Sequence, residues 1–137
     1  MTNTVTAVRL DVKGHAEVVT LPATEGRDVG AALRAALECS TFDVVRLAPG
    51  LDMWIDDDGL CVADPAINRV ATRIARSYGL RWQPYAGTAV FTSNDGEGET
   101  QSLSENQIAA LVTTADLGGL MVVDASRDAS EDAAVDA

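Results

Sequence analysis

Two groups of side chains have the types and spacing to do chemistry. Arg69, Arg73 and Arg76 recur at the repeat of one helical face, and Arg81 follows close behind. Planar guanidinium groups in such a stripe offer several N–H donors to one anion, so the four are candidate phosphate ligands. The plainer reading is a solvated helix face. The second group is acidic: Asp56, Asp57 and Asp58 in succession, with Asp52 and Asp64 nearby. Several carboxylates invite a hard cation, but the spacing fails as a calcium loop. Placing Gly59 at the sixth loop position puts Trp54 at the first, where an oxygen ligand is required. A solvated hairpin turn accounts for the run. Its charge makes Asp52, Asp56, Asp57 and Asp58 the candidates for contact with a basic partner.

Other reactive types stand alone. His15 is the single histidine and sits beside Gly14 in a turn-like stretch, far in sequence from Cys39 and Cys61, so a solvated turn histidine is expected in place of a general base. The two cysteines form no CxxC pair and have no neighbouring histidine, which excludes a recognisable zinc or redox motif and marks both as small core residues. Gly96-Glu97-Gly98 is no phosphate loop, because its acidic neighbours repel an anion and a GK[ST] ending is missing. Trp54 and Trp82 read as core anchors, with an interface as the alternative. No catalytic or cofactor motif emerges: a non-enzymatic protein without cofactor or metal is expected.

Charge narrows the partners. Twenty-one acidic against ten basic residues give a formal net charge of −11 over 137 residues. Such a surface opposes approach to DNA, RNA or an anionic membrane. The aromatic share of 4% leaves no platform for stacking bases. No positively charged leader precedes an apolar run, and no stretch approaches the ~18 apolar residues that span a bilayer. A cytoplasmic setting, with no direct nucleic-acid or membrane partner, is the expectation.

The elements that must position these groups follow from periodicity. Val8, Leu10 and Val12 alternate with Arg9 and Asp11, and Ala16 to Leu21 supplies a partner across Lys13-Gly14, so residues 4 to 21 read as a hairpin. Asp28 is placed to cap a helix to about residue 39, with Val29, Leu33, Ala36 and Leu37 on one face. Phe42 to Leu47 reads as a strand ended by Pro49-Gly50. Leu51 to Ile55 and Leu60 to Ala63 read as a second hairpin about Asp57-Asp58-Gly59. Asp64-Pro65 resembles the start of a helix running to Tyr78, with Ile67, Val70, Ala71 and Ile74 opposite the arginines. Arg81 to Gln83 and Thr88 to Thr92 read as short strands. Ser104 and Gln107 fit a capping box opening a helix that fades near Ala115. Leu120 to Val123 could add an edge strand, and the acidic stretch from Ser126 is expected to be disordered. The fold class is thus α+β: one domain over 1–125, a mixed or antiparallel sheet packed by about three helices, and a flexible tail over 126–137.

The stretch FDVVRLAPGLDMWIDDDGLCVADPAINRVATRIA, followed by GTAVFTSNDGEGE, resembles the family catalogued as domain of unknown function 3846. The resemblance covers about residues 28 to 98. Its features are met by Asp57, Asp58, Gly59 and Leu60 after a strand, by Asn68, Ala71 and Thr72 as an Asn-x-x-Ala-Thr helix start, and by Gly87 before the strand Thr88 to Phe91. Asp64-Pro65 sits slightly earlier than the proline of the family pattern. The resemblance implies a mobile-element setting, in phages or plasmids, and no activity. The expected function is therefore that of a phage or plasmid accessory protein acting by binding, as in counter-defence, with its acidic surface presented to a host protein that carries a basic one. The alternative is a binder or sponge of a phosphorylated, nucleotide-type small molecule held by the arginine stripe.

Overall fold

The structure is a computed structural model and describes residues 3–24, 28–60, 62–80 and 83–118. Among these residues nine elements follow in chain order. They are β1 (Thr4–Leu10), β2 (Ala16–Pro22), α1 (Gly30–Leu37), β3 (Phe42–Ala48), β4 (Leu51–Asp56), α2 (Arg69–Ser77), β5 (Ala89–Asn94), β6 (Thr100–Gln101) and α3 (Glu105–Asp116). All pairings are antiparallel in the order β2-β1-β5-β4-β3, with β6 pairing the end of β5. The chain is α+β, as its hydrophobic patterning indicates.

The first hairpin forms because Asp11 organises its turn. The carboxylate accepts the backbone N–H groups of Lys13 and His15 at 2.9 and 3.0 Å, and Gly14 takes the positive φ of 89° that a side chain would resist. Placed inside the sheet, β1 is buried on both faces instead of one. Val8 and Leu10 face one helical layer, and Val5 and Ala7 face the other. Val12 lies past the strand end and is exposed. The sheet is thereby sandwiched, with α1 on one face through Val29, Leu33 and Leu37 and with α2 and α3 on the other through Ile74, Ala75, Leu111 and Ala115.

The second hairpin is not the one that turn residues suggested. β3 pairs with β4 around Pro49-Gly50, with Val45 opposite Met53, and Gly50 adopts φ 85°. Leu60 to Ala63 contributes no strand among its described residues: Asp57-Asp58-Gly59 is a turn by which the chain leaves the sheet. Asp-Gly favours any tight turn, and whether a strand returns depends on a free ladder edge. Here β4 already has both neighbours, β3 and β5.

Helix α2 begins at Arg69 and is capped by Asn68, not by Asp64. Asn68 Oδ1 accepts the N–H of Ala71 at 3.0 Å, and Thr72 Oγ1 donates to the Asn68 carbonyl at 2.8 Å. The Asn-x-x-Ala-Thr pattern is therefore a cap with a physical role. Asn68 Nδ2 also donates to the carbonyls of Leu10 and Gly87, tying the helix start to β1 and to the entry of β5. At α1, the N-cap position falls on Val29, while Asp28 Oδ1 accepts the N–H of Gly30 at 2.8 Å. The capping box of α3 is complete, with bonds in both directions between Ser104 and Gln107. Gln107 is buried and its Nε2 also reaches the Gly50 carbonyl at 3.1 Å. The expected strand at Leu120 to Val123, the acidic tail and most of Arg81 to Gln83 lie outside the described residues.

Candidate functional site

The arginine stripe is placed as its spacing implied. Val70, Ala71, Ile74 and Ala75 are buried against the sheet, and Arg69, Arg73 and Arg76 project from α2 on the exposed side. The three line one shallow groove of about 190 Å³, with Ile67, Thr72 and Pro84 as its remaining walls. One guanidinium is partly committed, since Arg73 Nη1 donates to the Gly118 carbonyl at 2.6 Å after the end of α3. Arg81 lies outside the described residues. What the groove can do chemically is hold a small anion between guanidinium groups.

The four aspartates do not form one surface. Asp52 is 4% exposed and its Oδ1 accepts Arg46 Nε at 2.8 Å, so it is a sheet residue with a committed partner and is corrected out of the partner-binding set. Its neighbours Leu51 and Met53 are also buried, because β4 lies inside the sheet between β3 and β5. Asp56 is half-buried, whereas Asp57 and Asp58 are exposed at the end of β4. Short-range bonds fix the turn. Asp56 Oδ1 accepts the N–H of Asp58 at 2.9 Å, and Asp57 N–H donates to the Thr41 carbonyl at 3.1 Å. Asp43, opposite Ile55 in the register, adds an exposed carboxylate that sequence reasoning missed. Hairpin pairing brings Asp43 beside Asp57 although many residues separate them in the chain, so only the register could have revealed it.

This acidic end borders a cleft of about 80 Å³. Asp43, Asp56 and Asp57 supply its charge, and Ile55, Leu60 and Tyr85 are among its other walls. Tyr85 is 2% exposed, and its hydroxyl is buried without a hydrogen-bond partner among the described residues. Burial pushes the Tyr85 phenol above its ordinary range, so it stays neutral and can both donate and accept. Among the described residues, no ion pair engages Asp43, Asp56, Asp57 or Asp58. Nor does any group of three or more His, Cys, Asp or Glu come together tightly enough among them to hold a metal ion.

The reactive single residues fall outside both sites. His15 is exposed, with Nδ1 3.5 Å from Asp11 Oδ2 in the first turn. Cys39 is half-buried, and its thiol is pushed up by burial and by the charges of Asp56 and Asp58, with Arg34 opposing. It is thus a neutral, poorly nucleophilic thiol lying in the negative field of the acidic end. Cys61 and Trp82 lie outside the described residues. Trp54 is half-buried, meets Phe42 edge to face at 5.5 Å and donates its indole N–H to Thr92 Oγ1 at 2.9 Å. That makes it an anchor of the α1 side of the sheet. A wider groove of about 670 Å³ runs between the Pro49-Gly50 turn and the Asn94 to Gly96 turn, with Arg46 at its side. It escaped sequence reading because its two turns are distant in the chain.

The sequence model of the family described as Domain of unknown function (DUF3846) matches residues 5–116. The match runs from the second residue of β1 to the last residue of α3, so it takes in the sheet, both helical layers, the arginine groove and the acidic end. Comparison with curated proteins and with solved structures returned no match.

Proposed function

The chain belongs to this family of unknown function, and for it we propose a binding role exercised through the acidic end of the β3–β4 hairpin, without catalysis. The observation that carries the reading is the exposure of Asp43, Asp57 and Asp58 at one end of the sheet, with no ion pair among the described residues. Exposed carboxylates without an ion pair among the described residues are prepared to meet a basic surface. Complementary charge of this kind raises association rate and suppresses wrong partners more than it adds affinity. The partner is a protein with a basic surface. A phage or plasmid accessory role, with a host defence protein as the target, is the biological setting proposed for it.

The test uses a defined polycation, an arginine-rich peptide, and follows its association with the full chain at low and moderate salt. Charge reversal of Asp57 and Asp58 to lysine should slow association severalfold, most at low salt where the Debye length reaches ~30 Å. Reversal of Glu97 and Glu99, two exposed acids on the β5–β6 turn, supplies the same change in net charge. Equal slowing by both pairs would reduce the effect to overall charge and reject the acidic end as a site.

A second reading is favoured by a separate observation, the convergence of Arg69, Arg73 and Arg76 on one groove. In it the protein holds a phosphorylated small molecule of nucleotide type. Arg73→Glu should abolish retention of such a ligand, since it replaces the central donor by a like charge, and should leave the acidic-end association unchanged or slightly faster. Retention of a nucleotide at full strength by that variant would remove this reading.

A further inference from the structure

We infer that the acidic stretch Asp124 to Asp132 of this same chain docks along the arginine face of α2 and fills its groove from within the molecule. The inference goes beyond both readings above and rests on neither. It gives the groove a resident anion, which any other anion must displace.

The stretch is launched from the stripe itself. Just past the end of α3, Gly118 takes the left-handed φ of 65°, and its N–H donates to the Ala115 carbonyl at 2.9 Å. Its own carbonyl accepts Arg73 Nη1 at 2.6 Å. The chain after residue 118 therefore departs from a point in contact with the central arginine. That bond uses one of the five N–H donors of a guanidinium. Among the described residues, no ion pair engages Arg69, Arg73 or Arg76. Like charges three and four positions apart on a helix repel one another, so the stripe gains from a counter-charge.

The following residues supply it. Within 119–137, Asp124, Asp128, Glu131, Asp132 and Asp136 stand against the single base Arg127. Asp124, Asp128 and Glu131 recur at steps of four and three, the same steps as Arg69, Arg73 and Arg76. Such steps fall on one face of a helical turn, so the two stripes can meet carboxylate to guanidinium. Reach does not limit the contact. From Gly118 to Asp124 the extended chain spans about 20 Å, whereas Arg69 to Arg76 cover about 10 Å along α2. Tethering decides the occupant, because a segment attached this close acts at a millimolar effective concentration. A separate acidic protein or a second copy at micromolar concentration competes poorly with it. The groove of about 190 Å³ is shallow, with Ile67 and Pro84 beside the arginines, a shape for side chains laid across it. Between Asp124 and Asp132 only Ala125 and Ala129 are apolar. The contact is thus held by charge and must weaken with salt.

The experiment is nuclear magnetic resonance on the full chain. It reads the arginine Nε–Hε signals of α2 and the backbone order parameters from Asp124 to Glu131. At low salt those order parameters should lie above about 0.6, the value below which a backbone is flexible. Salt at about 1 M, where the Debye length is about 3 Å, should bring them below it. Asp124→Asn combined with Asp128→Asn should do the same at low salt and should shift the Nε–Hε signals of Arg69 and Arg76. Glu97→Gln combined with Glu99→Gln, an equal loss of charge on the β5–β6 turn, should do neither. Arg69→Gln combined with Arg76→Gln, both on the exposed side of α2, should free the stretch from the other partner. Low order parameters in the unaltered chain at low salt overturn the docking, as does silence of Arg69 and Arg76 to the Asp124 and Asp128 substitutions. Order that persists at about 1 M salt overturns it by assigning the stretch to an apolar contact. Order that is lost on tenfold dilution overturns it by assigning the groove to the acidic stretch of a second copy.

Discussion

Replacing Tyr85 by Phe should stabilise the free protein. The substitution removes one oxygen and leaves the ring, so packing against the α2–α3 face is kept. The two bonds that fix the segment, to Thr72 and from Asn68, are made by the backbone and survive. What disappears is a buried hydroxyl without a partner among the described residues. Leaving such a group unsatisfied costs about 1–3 kcal/mol, so its removal should return ~1 kcal/mol after allowance for local relaxation. Unfolding entropy near 2 cal/mol/K per residue gives about 0.24 kcal/mol/K for a domain of this size, and 1 kcal/mol corresponds to a rise in Tm of about 4 °C. Urea unfolding followed by tryptophan fluorescence should show a higher midpoint at unchanged slope, because the surface exposed on unfolding is the same. Destabilisation by 1 kcal/mol or more would mean that the hydroxyl is bonded in the folded protein.

Three further outcomes are expected. Asn68→Ala should cost about 3 kcal/mol, because one side chain of 1% exposure caps Ala71 and satisfies the carbonyls of Leu10 and Gly87; a loss below 1 kcal/mol in chemical denaturation would refute that role. Glu38→Gly should raise stability by about 0.5–1 kcal/mol, since Glu38 ends α1 with φ 55° and its contact with Arg9 at 3.3 Å is exposed; a lower Tm would show that the surface pair outweighs the backbone strain. Desolvation raises the Asp11 carboxyl, but the N–H groups of His15 and Lys13 and the charges of His15 and Arg9 outweigh it, leaving a net lowering from 3.8. Its stabilisation is then fully present above that ordinary value and is lost as pH falls through the lowered one, so the gap between wild type and Asp11→Ala should be widest near neutrality and close in acid. A gap constant from pH 7 to pH 2 would contradict it.

Local rules carried far in this chain wherever one segment contains its own answer. The β1–β2 hairpin is legible because Asp11 and Gly14 build the turn themselves. The α3 start is legible because Ser104 and Gln107 satisfy one another across a single turn, and the outward face of α2 because helical periodicity alone separates Arg69, Arg73 and Arg76 from Val70 and Ile74. Tertiary structure decided what depends on partners distant in sequence. Asp-Gly after β4 predicts a turn, but β5 already occupies the ladder edge a returning strand would need, so no hairpin forms there. Asp64-Pro65 and Asn68 both suit a helix start, and Asn68 prevails because its amide is the one that also meets Leu10 and Gly87. Asp52 and Asp57 are the same residue type five positions apart, yet Asp52 is buried between β3 and β5 and paired with Arg46 while Asp57 stands in solvent. Sequence set the charge of the acidic end through composition and spacing. Its cleft exists only because the register places Asp43 across from Ile55 and the α2 cap holds Tyr85 against them.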